Sequence, residues 1–220
     1  MPTAYRISVI SSLAALGLAL FSSAVAAQAQ RPISVVAFGD SLTAGYQLPP
    51  GDAFPVKLQA ALKAAGQNVA IENAGVSGDT TTGGLDRLDW AIGDGVDAVI
   101  LALGANDALR GIDPAITRRN LETIIERLKA RKIDVLLVGM LAPPNMGQDY
   151  GRAYNAIFPD LAAKHGLLLH PFFLEGVAAT PALQLADGMH PNARGVDVMV
   201  AGTQPKVLEL LAEVRRRRGG

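Results

Sequence analysis

Residues 98–107 read AVILALGAND. The first six are apolar without interruption, and turn-forming residues follow at once. Such a run predicts a β-strand buried on both faces. A strand covered on both faces needs helices above and below it. The run therefore argues for a parallel sheet inside an α/β sandwich. Similar apolar runs occupy 33–38 (ISVVAF) and 133–140 (IDVLLVGM), with shorter candidates at 69–72 and 167–170.

Helical patterns alternate with these strands. Residues 53–65 place Phe54, Leu58, Ala61 and Leu62 on one face, and Gly66 stands past the end. A second helix is expected over 80–92, opened by Asp79. Asp113 and Pro114 open a third, to about Arg131, in which Ile116, Leu121, Ile124, Ile125 and Leu128 recur at helical spacing. Residues 150–165 read as one helix despite Pro159, and 192 to about 215 as a closing helix. No internal repeat or linker interrupts the pattern, so residues 30–220 form one expected domain.

Half of the 220 residues are hydrophobic, enough for a good core. Twenty basic and twenty acidic residues cancel, which argues against a nucleic-acid partner. Cysteine is absent, which excludes a catalytic thiol, disulfides and a cysteine zinc site. No His and carboxylate group has zinc-site spacing, so no metal is expected, and no cofactor. Residues 1–29 carry an Arg, a short apolar segment, and two A-x-A patterns at 24–26 and 27–29. That reads as a cleaved signal peptide, since a membrane span needs roughly 20 apolar residues. A periplasmic or secreted monomer without stable membrane insertion is expected. Residues 215–220 (RRRRGG) read as a frayed, solvated end.

The polar residues fall where the strands end. Ser41 follows the first strand, Gly78 the second, and Asn106 the third. In open parallel sheets, ligands bind beyond the carboxyl ends of the strands. Asp187 and His190 precede the closing helix, three residues apart, so one turn can place the carboxylate on the imidazole. These are the parts of an acyl-transfer site. His190 takes the Ser41 proton, Asp187 fixes the tautomer, and the backbone N–H groups of Ser41 and Gly78 with the Asn106 amide receive the oxyanion. Asp40 and Asp107 read as turn, cap or loop support, and His165 and His170 as residues of a helix end and a strand end.

Four blocks, FGDSLTAGY (38–46), NAGVSGDTTTGGLDRL (73–88), LALGANDALRG (101–111) and DGMHPNARG (187–195), resemble in order and spacing the signature blocks of the GDSL, or SGNH, hydrolases. The likeness runs along almost the whole mature chain. It extends to GQDYGRAYNAIFPDLA (147–162) and HPFFLEGVA (170–178), which resemble a bacterial group of exported thioesterases, arylesterases and lysophospholipases. It implies a flavodoxin-like sheet of five parallel strands and a triad of Ser41, Asp187 and His190. It also implies an oxyanion hole of Ser41, Gly78 and Asn106. The implied substrates are small esters and thioesters: aryl esters, acyl-CoA-type thioesters and lysophospholipids. Met146 departs from the aromatic residue expected beside Asn145, which bears on the acyl pocket. Two other readings stand beside this one. A carbohydrate O-acetylesterase would use the same chemistry. A flavodoxin-like binding module would use the hydroxyl-rich loop 77–84 for phosphate.

Overall fold

The computed structural model describes residues 31–219; the expected signal peptide, 1–29, lies outside the described residues. Five strands form one parallel sheet: β1 (Ile33–Gly39), β2 (Val69–Gly75), β3 (Ala98–Ala102), β4 (Asp134–Val138) and β5 (Leu168–His170). Their order is β2-β1-β3-β4-β5. β3 is central and every residue in it is buried, as its apolar run requires. The edges are protected differently. β5 has only three residues. β2 exposes Glu72 and Asn73, and the Gln59 side chain accepts the Ile71 N–H at 2.7 Å.

Helices cover both faces. α1 (Ser41–Ala44) follows β1 directly, and α2 (Phe54–Ala64) precedes β2. α3 (Thr81–Ala91), α4 (Ala105–Leu109), α5 (Pro114–Ala130), α6 (Gln148–Asn155), α7 (Ile157–His165) and α8 (Ala193–Gly219) follow in chain order. α2 packs on α8, which lies against β3, β4 and β5. α3 and α7 pack on α5, and α5 and α7 rest on β4. The arrangement is a three-layer α/β sandwich.

Three local expectations are corrected. Thr80, not Asp79, caps α3, accepting the Gly83 N–H at 3.3 Å; Asp79 turns to Arg87 instead. The segment 150–165 is two helices, broken at Ala156. Pro159 has no N–H for the Asn155 carbonyl, so it sits in the first turn of α7, where none is needed. The basic end is not frayed: α8 continues to Gly219. Arg217 donates to Asp134 at 3.1 Å. Arg218 and Arg31 both bind Asp97, at 2.5 and 2.8 Å, which also accepts the Ser34 N–H. The two ends of the domain are thus tied through one carboxylate.

The side chains of Arg218 and Asp97 are only 6% and 3% exposed. Burial alone would raise the Asp97 carboxyl, but its bonds to Arg218, Arg31 and Ser34 hold it below the usual carboxylate range. Breaking a buried pair costs roughly 3–5 kcal/mol when a charge is fully orphaned. Arg31 remains, so Arg218→Ala is expected to cost about 2 kcal/mol in urea unfolding at pH 7. A carboxyl depressed in the folded state stabilises above its unfolded value, about 4, and loses that contribution as pH falls through the folded value. The difference between wild type and variant should therefore shrink below about pH 4. Equal stability at pH 7 would restore the frayed-end reading.

Candidate active site

The strand register sets up the site. Gly39 of β1 pairs with Gly75 of β2 and with Ala102 of β3, so three neighbouring strands end level. The loops that leave them carry Ser41, Gly78 and Asn106. The glycine at the end of β2 is required by packing: a Cβ on Gly75 would stand 2.3 Å from the Ala44 nitrogen. Its absence lets α1, and with it Ser41, settle onto the sheet edge.

Ser41 is the first residue of α1. Asp40, 1% exposed, caps that helix by accepting the Leu42 N–H at 3.0 Å. Burial, resisted by this bond and reinforced by the charges of Asp79 and Asp107, pushes the Asp40 carboxyl up to about 7. Its position on the α1 backbone makes it the cap that the sequence indicated. Asp107 is also structural: it is buried and accepts the Thr81 N–H, the Thr81 hydroxyl and the Thr117 hydroxyl.

Asp187 and His190 sit in a short hairpin in which the Leu185 N–H donates to the His190 carbonyl at 2.8 Å. Asn192 holds the hairpin by donating to the Ala182 and Gln184 carbonyls. Its side-chain oxygen accepts two N–H groups at the start of α8. Asp187 Oδ1 accepts the N–H groups of His190 and Met189 at 3.0 and 2.9 Å, while Oδ2 lies 2.7 Å from His190 Nδ1. These bonds, led by the His190 and Met189 N–H groups, lower the Asp187 carboxyl to about 2. Its side chain is 38% exposed, so hydrogen bonding rather than burial sets that value. An ionised carboxylate on Nδ1 makes that nitrogen the donor. Nε2 is left to accept from Ser41 Oγ, 2.9 Å away.

The Gly78 and Asn106 loops are tied to each other. The Asn106 amide donates to the Asp79 carbonyl at 2.9 Å and lies 3.5 Å from Asp40 Oδ2, which places it between the loops of Ser41 and Gly78. Gly78 adopts φ +81°, a conformation glycine reaches without strain. Its carbonyl accepts from Arg110 at 2.7 Å. Among the described residues no acceptor faces the Gly78 N–H.

A cavity of about 500 Å³ opens beside Ser41, Asn106 and His190. Its wall is mainly apolar and includes Leu109, Met140, Pro143, Phe172, Leu174 and Met189. The wall is built from the loops around Leu109 and Pro143 and from the segment that follows β5. Met146 lies against Gly111, outside the cavity wall.

Other residues that sequence reasoning missed surround the site. Arg87 is buried and donates to Asp79, to the Ala74 carbonyl and to the Gly39 carbonyl, at 2.7 to 2.9 Å. Its guanidinium lies 4.0 Å from the Phe38 ring centre. The Tyr46 ring centre is 4.4 Å from that of His190. Arg87 and Tyr46 lie inside the sequence blocks, but nothing in one sequence says where they point. His170 is buried at the end of β5, which lowers its imidazole pKa, and does not line the cavity. His165 contacts Glu122 at 2.9 Å. Among the described residues one group has the make-up of a metal donor set, Glu122, Glu126 and His165, on α5 and α7. Lys164 already stands 2.6 Å from Glu122.

Comparisons with known proteins identify the family. The profile of the GDSL-like Lipase/Acylhydrolase family matches residues 37–198. An arylesterase of Vibrio mimicus is 37% identical over 194 residues, 88% of this chain and 92% of its own length. Thioesterase 1/protease 1/lysophospholipase L1 of Escherichia coli K12 is 35% identical over 179 residues, 81% and 84% of the two chains. Among solved structures, AlinE4, an SGNH-hydrolase family esterase, superposes with a TM-score of 0.69 at 48% identity, covering 82% of this chain and 97% of its own.

Two substitutions test the assigned geometry. Asn106→Ala is expected to lower turnover by about 10² to 10³, the usual loss for one oxyanion donor. Asp187→Asn is expected to cost on the order of 10⁴, because Nδ1 loses the acceptor that selects its tautomer. Both are read in steady-state ester hydrolysis. Near-normal turnover in either variant would remove that residue from its role.

Proposed function

The chain belongs to the GDSL-like lipase/acylhydrolase family, and from that premise we propose that it hydrolyses carboxylic esters and thioesters through an acyl-Ser41 intermediate. The observation that carries this reading is the unbroken chain from Ser41 Oγ through the His190 imidazole to Asp187, at 2.9 and 2.7 Å. Ser41 Oγ attacks the carbonyl carbon while His190 Nε2 takes its proton. Asp187 stabilises the imidazolium that results. The carbonyl oxygen becomes an oxyanion, received by the N–H groups of Ser41 and Gly78 and by the Asn106 amide. Collapse expels the alcohol or thiol, which takes its proton from His190. Water, deprotonated by the same imidazole, then releases the acid and restores Ser41.

The cavity wall favours an apolar acyl or aryl group, in keeping with aryl esters, acyl-CoA-type thioesters and lysophospholipids as substrates. The alternative of a carbohydrate O-acetylesterase is less well supported. Acetate does not need a long apolar wall, and Trp90, the one tryptophan, is 74% exposed and does not line the cavity. A phosphate-binding module fits poorly, because the buried Asp107 carboxylate already takes the Thr81 N–H at the start of α3. All catalytic groups come from one chain, so a monomer suffices. Among the described residues no helix is long and apolar enough to cross a membrane. Export to the periplasm or medium, with residues 1–29 as a cleaved signal, is part of this proposal and rests on the sequence.

Hydrolysis of p-nitrophenyl esters from acetate to palmitate, by the mature protein and by Ser41→Ala, tests the reading. Wild type should be active, with its optimum beyond acetate. Ser41→Ala should fold normally and lose activity. Activity surviving in the folded variant would overturn the mechanism; an optimum at acetate would favour the acetylesterase.

A further inference from the structure

The Tyr46 ring has no place in the mechanism above, yet it rests against the imidazole that moves every proton. The two ring centres are 4.4 Å apart, with their planes 37° from each other. Tyr46 comes directly after Gly45, the left-handed C-cap of α1, and its N–H donates to the Ser41 carbonyl at 3.2 Å. The tyrosine is therefore anchored to the backbone of the nucleophile itself. Its hydroxyl is held as well: Gln47 Nε2 donates to it at 3.1 Å. Gln47 adopts φ +57°, in the left-handed region that non-glycine residues seldom occupy.

His190 lines the acyl cavity and Tyr46 does not. The phenol thus covers a part of the imidazole that the acyl group does not use. The groups that face the imidazole are then Asp187 on Nδ1, Ser41 on Nε2 and the Tyr46 ring. Asp187 is the charged one among them.

We propose that Tyr46 is a positioning residue for this reaction, whose ring holds the His190 imidazole between Asp187 and Ser41 and attracts it most strongly when it is protonated. An aromatic face carries negative electrostatic potential, and a cation within about 6 Å of its centre is drawn to it. Neutral imidazole gains little from that potential. The imidazolium exists only once the Ser41 or water proton has moved. The attraction is therefore largest in the transition state, where it raises turnover instead of merely tightening substrate binding.

This inference rests on the Ser41–His190 reading, and Ser41→Ala is run beside it to keep the two separable. Activity in folded Ser41→Ala would remove the mechanism; an inactive Ser41→Ala with an indifferent Tyr46 removes only the present inference. The test measures kcat, KM and the pH profile of kcat/KM for Tyr46→Phe and Tyr46→Leu. Tyr46→Phe keeps the ring and should stay close to wild type. Tyr46→Leu should lower kcat about 2- to 30-fold with KM little changed, from the usual range of such attractions. Its acid limb should also move to lower pH, by about 0.3 to 1.5 units, because the protonated imidazole loses its partner. Replacement of Tyr46 by pentafluorophenylalanine, which keeps the ring's shape and reverses its electrostatic face, should move the limb the same way and decides the matter if Tyr46→Leu does not fold. A limb that stays in place in the fluorinated protein overturns the proposal. So does a Tyr46→Phe variant as impaired as Tyr46→Leu.

Discussion

A buried guanidinium holds the reactive edge together. Arg87 reaches from α3 to carbonyls at or near the ends of two strands, Gly39 on β1 and Ala74 on β2, and to the Asp79 carboxylate in the loop that follows. The Gly39 carbonyl also accepts the Val76 N–H at 3.0 Å, so the guanidinium is a second donor there. One planar side chain donates to both carbonyls. Ser41 leaves from one of these strand ends and Gly78 from the other. Arg87 thus bridges the strand ends from which the proposed nucleophile and oxyanion donor depart. Its charge is balanced by Asp79 and rests on the Phe38 ring, so no lone ion is buried.

The acids around the site divide by environment. Asp187 is part exposed and receives three hydrogen bonds, so it remains a carboxylate wherever the enzyme folds. Asp40 is buried near Asp79 and Asp107, and its carboxyl is pushed up to about 7. One fold therefore offers an ionised carboxylate at His190 Nδ1 and a far more readily protonated carboxyl at the cap of α1, beside the proposed nucleophile. Permanent charge is useful where imidazolium must be stabilised. Beside the nucleophile, where an oxyanion must form, permanent charge would work against catalysis.

Much of this was legible in the chain. The unbroken apolar residues of β3 could only be a strand covered on both faces, and the helices between strands had regular periodicity. The candidate triad was legible because a three-residue spacing lets one turn join Asp187 to His190, whatever else the chain does. The basic end was misread because its order comes from far along the chain. Local rules weigh a residue against its neighbours in sequence, whereas Arg218 is ordered by Asp97, 121 residues away. Composition alone makes four arginines a solvated tail; a buried carboxylate makes one of them, Arg218, part of the core's rim.

The sequence by itself determined the layered α/β architecture, the strand ends at which polar residues gather, and the candidates proposed here as nucleophile, base and acid. Those follow from periodicity, turn chemistry and short spacings, which are properties of contiguous residues. Only the tertiary structure decided that Arg87 ties two strands, that Arg110 and Asn106 pin the Gly78 loop, that the cavity wall continues past β5, and that Tyr46 lies on His190. Each depends on where a side chain points after distant segments have packed, and packing direction is fixed by the whole core, not by any stretch of the chain.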